Sequence, residues 1–218
     1  MNRRLIFLMI SSMFFSPCAV YAQSGIDYYP LGMNNFWVYK HAPADDSTAA
    51  FSFVRREVSG FQNDGEGKVI SMKNVSAARD SYQWYKISSK GEIALISLGI
   101  GPDIGSSLAD FDPPLVLLPG ESVAGNSWEM KMEVAVNNIN KMITIGVCRI
   151  ESDRETVTVP AGTFRNCLKV RQTKMDENGK ESGTIYVYYA HGVGNILTEQ
   201  VAPPANRFRD ELVEYSIK

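Results

Sequence analysis

Beyond residue 22 the chain alternates apolar and polar positions with a period of two. Within residues 163–174, Leu168 and Val170 fall on one face and Lys169 and Arg171 on the other. Within 184–190, Ile185, Val187 and Tyr189 alternate with Tyr186 and Tyr188. Near the end, Val213, Tyr215 and Ile217 share a face. This is the pattern of a half-buried strand. Similar signals cover 36–39, 51–58, 68–72, 82–88, 93–98, 127–136, 141–150 and 195–201. Turn chemistry separates them. Pro160 and Gly162 suit the second and fourth positions of a type I turn, and Asn178-Gly179 suits a two-residue hairpin because both residues accept positive φ. Long helical periodicity is almost absent. The pattern predicts a mainly-β protein, built as a single strongly curved antiparallel meander sheet or an incomplete barrel.

One stretch interrupts the alternation. Residues 99–120 are rich in Gly and Pro and carry the apolar run Leu115, Val116, Leu117, Leu118. Pro113-Pro114 stops any helix that starts before them. The expectation is one long loop or short helix lying across an opening of the sheet. It acts either as a cap on the core or as a lid over a ligand cavity. Tyr186 and Tyr188 make their strand apolar and aromatic on both faces, more than one ordinary core requires. These two tyrosines and Leu115, Val116, Leu117 and Leu118 are therefore the candidate ligand-binding residues, for a hydrophobic small molecule or lipid held in the sheet's concavity.

The first 22 residues read as a cleaved export signal. Arg3 and Arg4 form a basic start, residues 5–15 an apolar core, and Ala19-Val-Tyr-Ala22 a small-residue cleavage site. Acylation at Cys18 is a weaker reading, because Pro17 precedes it. The expected division is a signal peptide, 1–22, and a single β-rich domain, 23–218, with no transmembrane span after cleavage, exported to the periplasm or the extracellular space. The formal net charge of −2 becomes more negative once Arg3 and Arg4 are removed. That argues against nucleic acid as a partner.

Cleavage leaves two cysteines, Cys148 and Cys167. An even pair in an exported protein points to a disulfide. The phase of the alternation places both away from the aliphatic face. The bridge requires that residues 155–159 do not pair between the two cysteine strands. An intervening strand would hold them roughly 10 Å apart, beyond disulfide reach. Free, partly buried thiols are the alternative. Chemistry-bearing motifs are otherwise scarce. His41 and His191 lack paired metal-ligand spacing with the cysteines. The glycines at 99, 101 and 105 are misplaced for a dinucleotide loop, and Gly120-Glu-Ser-Val-Ala-Gly125 is not a nucleophile elbow. No catalytic residue, metal or cofactor is assigned, and catalysis is the least expected activity. Arg55, Arg56 and Glu57 interrupt a strand and argue against a lipid-embedded barrel.

Several segments carry a family resemblance. They are Val157-Thr-Val-Pro-Ala-Gly-Thr-Phe164, Asn166-Cys-Leu-Lys-Val170 and Tyr188-Tyr-Ala-His-Gly-Val-Gly194 followed by Glu199. Tyr29-Pro-Leu-Gly before Trp37 and Pro114-Leu-Val-Leu-Leu-Pro119 before Trp128 add to it. Together they resemble a family of exported bacterial β-sheet proteins of unknown function. In that family proline is common where His191 stands, which implies that the histidine is incidental. The chain is also loosely similar to the curved sheets of periplasmic lipoprotein carriers. That likeness implies a non-enzymatic binding or envelope-maintenance protein holding an apolar, lipid-like ligand. A structural or protein-interaction module working with an envelope protein is the alternative.

Overall fold

The computed structural model describes residues 23–44, 50–63, 68–136, 139–176, 178–203 and 207–218. The expected export signal lies outside the described residues. A one-turn helix, α1 (Gly25–Tyr28), precedes the strands β1 (Phe36–Pro43), β2 (Ser52–Asn63), β3 (Lys68–Ser76), β4 (Ser81–Ile87), β5 (Ile93–Gly99) and β6 (Ser107–Leu118). The second half comprises β7 (Ser127–Val136), β8 (Ile139–Val159), β9 (Gly162–Met175), β10 (Glu181–Ala190), β11 (Gly194–Ala202) and β12 (Phe208–Ser216).

All described pairings are antiparallel, in one sheet of order β6-β5-β4-β3-β2-β1-β12-β11-β10-β9-β8-β7. The chain meanders outward through six strands from β1 and returns through six that end beside it. Trp37 and Trp128 lie in β1 and β7, the first strand of each half. The sheet curls so that its two edges meet, and the incomplete barrel expected from the alternation is what forms. Among the described residues no strand ladder joins β6 to β7. A side chain crosses that seam instead, where the Trp128 Nε1–H donates to the Val116 carbonyl at 2.9 Å.

Residues 99–120 depart from the expected loop. After a 3-10 turn at Ile104–Ser106 the chain forms β6 and pairs with β5. Pro113 and Pro114 interrupt the alternation because they cannot donate to a ladder, a loss tolerated on an edge strand. A short helix does lie across one end of the barrel, but it is α1. The Ile26 N–H donates to Gly91 O, the Gly192 N–H to Asp27 O and the Ser122 N–H to Gln23 O. These bonds tie α1 and its approach to the β4–β5, β6–β7 and β10–β11 turns. Gly25 is required there, since a Cβ would sit 2.9 Å from the carbonyls of Gly91 and Pro119.

The core fills the α1 end of the barrel. Tyr29 packs its ring against Trp37, Tyr85 and Tyr189 at centroid distances of 5.6, 6.1 and 6.2 Å. Leu118, Ile93, Ile150 and Leu168 close around them. The β8–β9 hairpin is long enough to run past the β10–β11 turn and reach β12, where the Ala161 N–H donates to Leu212 O at 3.0 Å and Phe164 meets Tyr215. Val157 and Val159 on that hairpin are buried as a result.

Candidate functional site

Residues directly opposite each other on antiparallel strands share a face, so the register separates inner from outer side chains. Trp37 and Tyr39 are buried in the barrel, so Arg56 and Val54, opposite them on β2, also point inward. Arg56 in turn faces Asn74 on β3, and Met72 faces Gln83 on β4. On the other side of β1, His41 faces Asp210. Buried Cys148 faces Gln172 across β8 and β9, and Ile185 faces both Gln172 and Gln200.

The inner face is therefore zoned along the barrel axis. Toward α1 it is apolar and filled. Toward the opposite end it carries Asn74, Gln83, Gln172, Gln200, His41 and Asp210. Several of these inner groups are satisfied by one another. Tyr85 donates to Gln83 Oε1 at 2.7 Å, and Lys174 Nζ to Gln200 Oε1 at 3.2 Å. His41 Nδ1 lies 2.6 Å from Asp210 Oδ1. Ser52 stands opposite His41 on β2 and makes no hydrogen bond to it.

Arg56 marks the boundary between the two zones. Its guanidinium lies 4.7 Å from the centre of the Tyr39 ring, and Tyr39, Tyr29 and Tyr85 are its strongest electrostatic neighbours. Protein encloses it, yet its surface is not fully closed, as expected of a side chain lining the inside of a barrel. Among the described residues no carboxylate lies within ion-pair distance of it. Asp210 contributes at longer range and is itself engaged by His41. The outer arginines differ: Arg55 pairs with Glu57 at 3.1 Å and Arg171 with Glu181 at 3.3 Å. The three tyrosines do not neutralise the charge. Burial pushes the pKa of Tyr39 and Tyr85 well above the ordinary tyrosine value, and that of Tyr29 up despite the opposing pull of Arg56. All three stay protonated near neutral pH. Burial alone would lower the guanidinium's pKa, but electrostatic interaction with Tyr39, Tyr29, Tyr85 and Asp210 more than offsets it, and an arginine stays charged in a protein in any case.

The residues expected from the sequence to bind a ligand are dispersed. Leu115 and Leu118 are buried in the core, and Leu117 packs against it. Val116 lines an outer hollow with Pro113, Pro114 and Ala94. Tyr186 lies on the outer face under Lys169, whose Nζ is 4.3 Å from its ring centre. Tyr188 shares that face, opposite Lys169 and Leu197. These six side chains do not converge on one cavity.

The expected disulfide does not form, and Cys148 and Cys167 are both free and buried. Residues 155–159 are not a separate strand; they extend β8, so the cysteines lie on adjacent strands. They are, however, far out of register, with Cys148 opposite Gln172 and Cys167 opposite Glu155. At about 3.3 Å per residue that offset is about 17–23 Å, against a limit of about 7 Å between bridged Cα atoms. The expected facing is also reversed. Cys148 points inward with Ile150, while Val147 and Arg149 line an outer hollow. Asn166 adopts a left-handed φ of 55° within a bulged stretch of the ladder, and Cys167 and Leu168 are buried in succession.

Burial pushes the Cys148 thiol up to about 12 and the Cys167 thiol up to about 11. Neither supplies thiolate near neutral pH, and thiolate is the reactive form. At pH 8 the native protein is expected to be inert to a thiol-disulfide colour reagent and to titrate both thiols once unfolded. A reducing agent should leave the melting temperature unchanged. Because these pKa values are raised on folding, their stabilising effect is complete below the ordinary thiol value and is lost as pH climbs through 11 and 12. The buried tyrosines act in the same direction above pH 10. Stability should therefore fall on the alkaline side, and a shift of melting temperature with reductant would contradict the free-thiol assignment.

His191 stands exposed in the β10–β11 turn, its ring edge-on to Tyr28 at 5.6 Å. Among the described residues no three metal-ligating side chains cluster. No helix among them is long and apolar enough to cross a membrane.

The polar inner zone was not assigned from the sequence, although a signal for it exists. Arg56 occupies the same strand phase as Val54 and Val58, and Gln172 the same phase as Leu168 and Val170. A polar residue in an apolar phase marks an interior position that is not simply core.

Residues 117–203, from the end of β6 to the end of β11, match the DUF3108-like family, which is uncharacterised. No curated protein matches the chain significantly. Two solved structures are similar in outline. One, from Parabacteroides distasonis and described as a candidate lipoprotein, is 19% identical over 87% of this chain and 98% of that one, with a TM-score of 0.45. The other, from Bacteroides fragilis and described as a candidate exported protein with a YmcC-like fold, is 13% identical over 87% and 98%, with a TM-score of 0.46.

Proposed function

We propose that this is a non-catalytic binding protein of the cell envelope that holds a small ligand inside the barrel, in the zone away from α1. The observation that carries the reading is the zoning of the inner face. A barrel that only had to be stable would continue its apolar core along the whole axis, because buried polar groups cost free energy unless fully paired. Here Arg56, Asn74, Gln83 and Gln172 point inward and keep accessible surface. The lipid-like ligand expected from the sequence fits this space by a polar end, since the apolar end of the barrel is already occupied by Tyr29, Trp37 and Leu118. The envelope location rests on the export signal read in residues 1–22.

A second reading, an interaction module without a small ligand, is favoured by exposed apolar side chains. Phe51 and Phe53 are more than half exposed, and Leu108 more so. An envelope protein would be the natural partner for such a surface.

The test is native mass spectrometry of protein recovered from an exporting host, wild type beside Asn74→Trp, which places an indole next to Arg56. A small non-covalent mass on the wild type, missing from the variant, is the expected result. Equal retention by both would place the ligand elsewhere. A bare wild type whose melting temperature is unmoved by an envelope extract would overturn the reading in favour of the interaction module.

A further inference from the structure

The surroundings of Arg56 narrow the chemistry of the ligand, an inference that rests on the binding reading above. The tyrosine hydroxyls beside it have spent their protons. Tyr39 donates to Asn195 O at 2.7 Å, Tyr85 to Gln83 Oε1 at 2.7 Å and Tyr29 to Met72 Sδ at 3.6 Å. They can accept from the guanidinium but cannot cancel its charge. Gln83, with its oxygen taken by Tyr85, has an amide NH2 left to offer. Among the described residues, the charged groups on the surrounding inner face are Asp210, held by His41, and Lys174, held by Gln200. Arg56 is thus a planar fork of donors beside the Tyr39 ring, with a full positive charge and, among the described residues, no counter-ion within ion-pair distance.

A charge held largely out of water and left unpaired is costly, and a carboxylate or phosphate satisfies a guanidinium through two parallel hydrogen bonds. We infer that Arg56 is the recognition point for an oxyanion, a carboxylate or phosphate group carried by the ligand, with the Gln83 amide as a second donor. The free group and the head of an amphiphile offer the same chemistry.

The experiment titrates the mature protein by calorimetry with three probes: dodecanoate below its micelle concentration, dodecanol, and inorganic phosphate. The proteins are wild type, Arg56→Met and Arg56→Lys, each checked for native circular dichroism. Binding of dodecanoate or phosphate to wild type is expected, at least tenfold weaker in Arg56→Met and intermediate in Arg56→Lys, which keeps the charge but loses the fork. Dodecanoate without phosphate identifies an amphiphile head, and phosphate binding shows that the free oxyanion suffices. Dodecanol binding with no response to either anion, or anion affinity unchanged in Arg56→Met, overturns the oxyanion assignment while the binding reading stands. No binding of any probe, together with a bare native mass spectrum, overturns both.

Discussion

Replacing Trp37 with alanine should cost about 4 kcal/mol of stability, enough to leave the protein close to unfolding. Trp37 is fully buried, packs against Tyr29 and donates its indole N–H to Val193 O at 2.6 Å. Truncating a buried aromatic costs about 3–5 kcal/mol through lost transfer energy and the cavity left behind. The Val193 carbonyl also loses its partner, worth about 1 kcal/mol or more in a buried setting. Total domain stability is about 5–15 kcal/mol, so the loss is a large share of it. The position is costly because three parts of the chain meet there: β1, the segment after α1, and the β10–β11 turn. That turn is in turn constrained by Gly194, whose φ of 116° and 3.0 Å clearance to the Trp37 indole leave no place for a side chain. Urea unfolding measures the effect, read as a fall in midpoint at unchanged slope. Trp37→Phe should lose about 1–2 kcal/mol, because it keeps most of the volume but not the donor. A loss below about 1 kcal/mol for the alanine variant would mean that the α1 end is not packed as described.

Arg56→Met should have the opposite sign. In protein stripped of ligand the variant is expected to be more stable by about 2 kcal/mol. Replacing buried charged groups with apolar side chains of similar volume is neutral or stabilising by about 1–4 kcal/mol. Here, among the described residues, the charge has no carboxylate partner to lose. What opposes the gain is the contact with Tyr39, worth about 1–2 kcal/mol when desolvated. A residue that destabilises the empty fold is retained where function requires it. The same unfolding series decides the point. A destabilisation of more than about 1 kcal/mol would make Arg56 a structural arginine and remove the support for a ligand at that position. Because Arg56 and Trp37 are opposite each other across β1 and β2, their effects are not expected to add, and the double variant would measure the coupling.

The candidate site was partly written in the chain and partly not. Arg56 stands between Arg55 and Glu57 in a run that looks like a charged strand surface. Only the phase it shares with Val54 and Val58 separates it from its neighbours. That phase says inside, but cannot say which tyrosines surround it. Tyr29 and Tyr39 are near in sequence but Tyr85 comes from β4, and only curling of the sheet brings the three together. Leu115 to Leu118 were legible as apolar but not as parts of an edge strand, because Pro113-Pro114 destroys the local alternation while the pairing with β5 is long-range.

The class of structure follows from local sequence alone. Alternation is a local property of the strand, with side chains pointing to opposite faces at successive residues, and turn types follow from the φ preferences of residues such as Asn178 and Gly179. Both can be read without knowing what lies next to what. Tertiary structure alone decided register, closure and the company each side chain keeps. Cysteine parity favoured a bridge, but the unbroken length of β8 places Cys148 and Cys167 many residues out of register. The barrel's interior is likewise set by which strands become neighbours. One end is filled by α1 and the aromatic residues around it, and the other is left polar beside Arg56, which has no counter-ion among the described residues. No window of the chain contains that arrangement, because the groups that create it are separated by up to the full length of the fold.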